Sequence, residues 1–124
     1  MLAACSKVSD PYEAYHHGKY RQAKKGFQIL AEQGDAAALT HLGVMYQLGL
    51  GTDKNLNSAL SHYQLAAKQD YAPAQYNLGL MYEAGLVVKQ DYRRAYDYYS
   101  LAAKQDHSKA KRAAELLLTE LKVT

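Results

Sequence analysis

Apolar residues recur along most of this chain three and four positions apart, and glycine- and turn-rich segments interrupt them at regular distances. Ala38, Leu42, Met45 and Tyr46 make one apolar stripe at helical spacing. Gly49-Leu50-Gly51-Thr52-Asp53-Lys54-Asn55 then breaks the pattern, and Leu56, Ala59, Tyr63, Ala66 and Ala67 form the stripe of a second helix. Upstream, Asp10-Pro11 is a helix start, with aspartate as cap and proline at the first helical position. It predicts a short helix from Pro11 to His17, ended by Gly18, and a longer one from Tyr20 to Gln33. Downstream, Ala110, Ala114, Leu117, Leu118 and Leu121 predict a last helix over Ser108 to Lys122. The pattern predicts seven helices and no strands.

The stripes repeat. Shifted by 36, Leu42-Gly43-Val44-Met45-Tyr46 falls on Leu78-Gly79-Leu80-Met81-Tyr82, and Leu65 to Asp70 falls on Leu101 to Asp106; between 36–71 and 72–107, 16 of 36 positions are identical. Ala23, Ala59 and Ala95 share a column, as do Ala38, Ala74 and Ala110, and Phe27, Tyr63 and Tyr99. A repeat of that length built from two helices is a solenoid unit, which buries its apolar face by stacking on its neighbours. The organisation expected is a tether over 1–10, a partial unit over 11–35, full units over 36–71 and 72–107, and a capping helix over 108–124. Gly43 and Gly79 lie inside first helices, where glycine costs about 1 kcal/mol relative to alanine. Close approach of the paired helix's backbone would compensate.

The pattern Ala-x-x-x-Leu-Gly-x-Met-Tyr, then Gly-x-Gly, then Ala-x-x-x-Tyr-x-x-Ala-Ala resembles the SEL-one-like repeat, a relative of the tetratricopeptide repeat. The resemblance covers about residues 11–122. It departs at Val87, where a second loop glycine is usual, and at His62 and Tyr98, where an aromatic, often Trp, precedes the tyrosine. It implies an all-α, right-handed α/α solenoid and a non-enzymatic adaptor that holds another protein or peptide on a concave face lined by first helices. The cysteine-rich branch of the family, with its suggested penicillin-binding or hydrolysing activity, has paired cysteines in each unit; this chain has one cysteine in all. A peptidoglycan- or β-lactam-binding or hydrolysing protein of the cell wall is the rival from another class.

On a helical wheel, Thr40, His41, Val44, Gln47 and Leu48 fall opposite the stripe of their helix, and Tyr76, Asn77, Leu80, Glu83 and Ala84 do so one unit later. Arg112 and Leu116 follow in the last helix. Val44, Leu80 and Leu116 then form an apolar column on the open side, beside a polar column of Thr40, Tyr76 and Arg112. This is the candidate partner-binding face, with packing between neighbouring units as the competing account of the same residues. Asn77 stands where some tetratricopeptide domains clamp a carboxylate, but His41 is the one basic residue near it.

Composition changes the picture little. Of 124 residues, 48% are hydrophobic and 22% charged, in the ordinary range of a folded domain. The net charge of +3 gives no reason to expect nucleic acid. His16, His17, His41, His62 and His107 show no metal-ligand spacing, and no phosphate loop or nucleophile–base pattern is present, so no cofactor, metal or catalytic residue is expected. Lys19, Arg21, Lys24 and Lys25 read as a solvated basic face, with an anionic membrane surface or an acidic partner as the alternative.

Leu2-Ala3-Ala4-Cys5 matches a bacterial lipobox, followed by a short polar tether. If a clipped signal peptide belongs before Met1, Cys5 is lipidated and the protein is a periplasm-facing envelope lipoprotein. In that case Ser6 after the cysteine resembles outer-membrane sorting, and the anchor is the one membrane contact expected. Otherwise the match is chance and the protein is a small cytoplasmic adaptor.

Overall fold

The computed structural model describes residues 10–120. Among them are seven helices and no strand: α1 (Pro11–His16), α2 (Tyr20–Glu32), α3 (Ala36–Leu48), α4 (Leu56–Ala67), α5 (Ala72–Ala84), α6 (Tyr92–Ala103) and α7 (Ser108–Glu120). Each packs chiefly on the helix before and after it in the chain, which is the connectivity of an α/α solenoid.

The helix boundaries follow from local chemistry. The side chains of Asp35, Asn55 and Asp91 accept the backbone N–H three residues on, at Ala38, Ser58 and Arg94, and so cap α3, α4 and α6. Asp10 caps α1 by accepting from Tyr12. Gly49 and Gly85 end α3 and α5 in the left-handed region, with φ of 71° and 73°. Val87, at the position of Gly51, takes φ 50°, a conformation unfavourable for a β-branched residue.

The core is assembled by the repeat columns. Phe27, Tyr63 and Tyr99 are fully buried, as are the alanines of both alanine columns, and Met45, Leu78 and Met81 complete it. The approach at the helical glycines is made by a ring rather than by the paired backbone: a Cβ on Gly43 would lie 2.4 Å from Cε1 of Tyr63, and one on Gly79 2.4 Å from Cε1 of Tyr99. Four residues along the same helix face, Gln47 and Glu83 accept a hydrogen bond from those two tyrosines, at 2.7 and 2.5 Å. Each full unit is thus pinned by one tyrosine from its second helix. The ring packs against a glycine and the hydroxyl reaches the side chain one turn further along.

In α7 the glycine column holds Glu115, which is exposed. Leu118, expected on the buried stripe, is 44% exposed. The stripe of α7 narrows to Ala110, Ala114 and Leu117, since no helix among the described residues packs over the far side. Leu121 lies outside the described residues.

Candidate partner-binding face

The residues expected opposite the stripes divide into two sets, one closed by neighbouring units and one open. Thr40 is buried, and its hydroxyl donates to the Ala36 carbonyl at 2.8 Å, so it does not line an open face. His41 is closed off as well. Its ring stacks on Phe27 at 4.9 Å and meets the edges of Tyr12 and Tyr15 at 5.1 and 5.6 Å, while Nδ1 donates to the Ala37 carbonyl. The short α1 is responsible, because it places its two tyrosines over the N-terminal half of α3. Val44 is half-buried against the cluster of Ala59, Tyr63, Leu78 and Met81. Tyr76 stacks on His107 at 4.8 Å and lies 5.7 Å from Tyr99. Asn77 is half-buried, and His41, the basic residue expected near it, is engaged by the rings of Tyr12, Tyr15 and Phe27 rather than left for a carboxylate clamp.

Gln47 and Glu83 are committed to Tyr63 and Tyr99. Burial is the main cause that raises the hydroxyl pKa of both tyrosines well above the ordinary value. Next to burial, the Glu83 carboxylate raises that of Tyr99 further, by accepting its proton and by repelling the phenolate.

The open set is Leu48, Leu80, Ala84, Arg112 and Leu116, all exposed. Leu80 and Leu116 are 40% and 43% exposed and line one groove of about 570 Å³ between α5 and α7. Ala84, Tyr92 and Leu117 complete its apolar surface, and Glu83 and Glu120 also line it. Tyr92 and Glu120 were missed in the sequence, Tyr92 because the wheel compared first helices alone and Tyr92 opens α6.

A second exposed row was also missed. Ile29, Leu65 and Leu101 stand 36 residues apart on the second helices and are 54%, 50% and 44% exposed. The same column comparison, carried into the second helices, finds them.

Lys24 of the basic cluster is tied down. It donates to Thr52 at 2.9 Å and lies 5.1 Å from the Tyr46 ring centre, joining α2 to the next unit's loop. The lipobox segment, Cys5 included, lies outside the described residues. Among the described residues no group of histidine, cysteine, aspartate or glutamate could hold a metal ion, and no helix is long and apolar enough to cross a membrane.

The Sel1 repeat family matches residues 36–71 and 72–107, more than half of the chain. The chain belongs to the Sel1 repeat family. It superposes on a Sel1 repeat protein from Oxalobacter formigenes with a TM-score of 0.84 and 37% identity, over 89% of this chain and 45% of that one. It is also similar to a protective antigen of uropathogenic Escherichia coli with the same fold. There the TM-score is 0.76 and the identity 20%, over 96% of this chain and 28% of that one. The chain therefore spans less than half the length of either solved structure. No curated protein sequence matches it. Sel1 repeats are in general protein-interaction modules, and the family is typically non-catalytic.

Proposed function

We propose that this Sel1 repeat protein is an adaptor that holds another protein or peptide in the groove between α5 and α7, and that it works in the bacterial envelope. One observation carries the binding site: Leu80 and Leu116, equivalent positions in successive units, are both exposed and line the same groove. Exposed apolar residues in register over a shaped groove are what a partner's side chains can displace water from. The envelope half of the proposal rests on Leu2-Ala3-Ala4-Cys5.

Capture from the source cell, comparing wild type with Leu80→Glu/Leu116→Glu, tests the groove. Both side chains reach solvent, so the variant keeps its circular-dichroism melt. A partner held by wild type and lost by the variant supports the site, and equal capture overturns it. Expression of the complete gene with labelled fatty acid tests the anchor. Label that enters wild type but not Cys5→Ser supports lipidation, and absence of label refutes it.

A further inference from the structure

The row Ile29, Leu65 and Leu101 runs across α2, α4 and α6, and none of the three lines the groove between α5 and α7. The solenoid does not need it, since the buried columns of these helices are Ala23/Ala59/Ala95 and Phe27/Tyr63/Tyr99. A large aliphatic residue nonetheless occupies the same exposed column in all three units, and three in register exceed a scatter of single surface residues.

The charges beside the row indicate what covers it. Four residues before each aliphatic stand Lys25, Ser61 and Asp97; three residues after stand Glu32, Lys68 and Lys104. These offsets put each set on the same helix face as its aliphatic, one turn to either side, and all six residues are exposed. In α2 the order is basic, aliphatic, acidic; in α6 it is acidic, aliphatic, basic; in α4 it is neutral, aliphatic, basic. No side chain among Lys25, Glu32 and Lys104 has a hydrogen-bond or ion-pair partner among the described residues. Asp97 has an exposed pair with Arg93 at 3.4 Å, which leaves carboxylate oxygens open to a further donor.

A surface of this kind complements itself. When two copies meet face to face about a two-fold axis along the row, their helices run antiparallel and each aliphatic meets its own copy. Lys25 then faces the other copy's Glu32, Asp97 faces Lys104, and Lys68 faces the neutral Ser61. Each pairing occurs twice, as in any isologous contact. With the axis along the helices instead, Lys68 would face Lys68. Between α4 and α6 a groove of about 550 Å³, lined by Leu65, Gln64 and Tyr98, can take an opposing side chain; a smaller one of about 360 Å³, lined by Gln28, Glu32 and His62, lies between α2 and α4.

We propose that this face is a self-association surface on which a second copy of the chain docks antiparallel, Leu65 on Leu65. It leaves the groove between α5 and α7 free, so one dimer presents two grooves. The contact is small and its affinity modest, and it gains from any tether that raises local concentration.

Sedimentation of the full chain over a concentration series tests the proposal. Wild type shows a monomer–dimer equilibrium that Leu65→Glu abolishes without changing the melt and that Leu80→Glu leaves unchanged. Lys25→Glu sets glutamate against Glu32 in both symmetric contacts and weakens the dimer by roughly tenfold or more; Lys25→Glu/Glu32→Lys restores it. In a Cys5→Ser background, Ile29→Cys alone forms an intermolecular disulfide on oxidation, because that residue meets itself. Wild type that stays monomeric at every concentration, or a dimer that survives Leu65→Glu, overturns the proposal. So does a row that binds vesicles of anionic lipid through Leu65 while the chain sediments as a monomer. An Ile29→Cys chain that cross-links only when mixed with Leu101→Cys overturns the antiparallel arrangement.

Discussion

At the residue scale, a few positions fix the units, and their roles follow from volume and backbone angle. Gly79 exists for the Tyr99 ring. In Gly79→Ala the new methyl lies 2.4 Å from a fully buried ring carbon, and crowding of that kind costs about 1–3 kcal/mol. Alanine's better helix propensity recovers at most about 1 kcal/mol. The expected result is a less stable protein in a denaturant titration; a more stable one would mean the ring has room to move. Val87 is the opposite case. Its φ of 50° costs on the order of 1–3 kcal/mol for a β-branched residue. Glycine there gives back part of that gain through its freer unfolded chain. Val87→Gly should therefore raise stability by about 1 kcal/mol, and an unchanged or lower denaturation midpoint would refute the strain. Both positions stand out in the sequence, as a glycine inside a helix and a valine in a glycine column. The pairing of Gly79 with Tyr99 does not, since the periodicity gives each column and not which column faces which.

At the element scale, a helical wheel gives the direction a side chain points but not what comes to meet it. Thr40, His41 and Tyr76 point away from their own stripes, as read, and are nonetheless covered or stacked. Thr40 turns its hydroxyl back on its own helix. His41 is met by Tyr12 and Tyr15 of a six-residue helix, and Tyr76 by the ring of His107 just before α7. The open face is left with the C-terminal halves of α3 and α5 and with α7. His107 also caps α7: the Ala110 N–H donates to its Nδ1 at 3.1 Å. Since a backbone N–H can only donate, that nitrogen is the acceptor and the proton sits on Nε2. One imidazole thus serves both as helix cap and as partner of Tyr76. His107→Ala removes a cap worth about 1 kcal/mol and a ring contact of about 0.5–1.5 kcal/mol. In a chain whose helices contact mainly their sequence neighbours, that loss should stay local. Amide exchange should quicken in α7 while α3 and α4 keep their protection. Uniform acceleration over all helices would show that the chain opens as one unit.

At the scale of the whole molecule, the core is tied together by tyrosines, 12 in the chain against one phenylalanine. The repeat and the fold class were legible because the same small and aromatic residues return every 36 positions. The balance between core and surface roles was less so, because a tyrosine can fill either. The structure resolves it: burial raises the hydroxyl pKa of Tyr12, Tyr15, Tyr63, Tyr71, Tyr98 and Tyr99, residues spread from α1 to α6. The consequence for stability has a definite sign. An unfolded tyrosine loses its proton near pH 10, at its ordinary value of about 10, while these stay protonated in the folded chain. Above that pH the unfolded state binds fewer protons than the native one, so stability falls as pH rises. Below it the contribution is fully present and does not vary. The melting temperature should be flat with respect to these groups up to about pH 9.5 and drop steeply beyond. The phenolate absorbance of these six tyrosines should appear together with loss of helix rather than before it. Tyr99→Phe removes one of the most strongly held hydroxyls and should make the alkaline drop shallower, with a stability loss of about 1–3 kcal/mol at neutral pH from the bond to Glu83. If these six titrate near pH 10 with the helices intact, they are solvated and the core is not held in the way described.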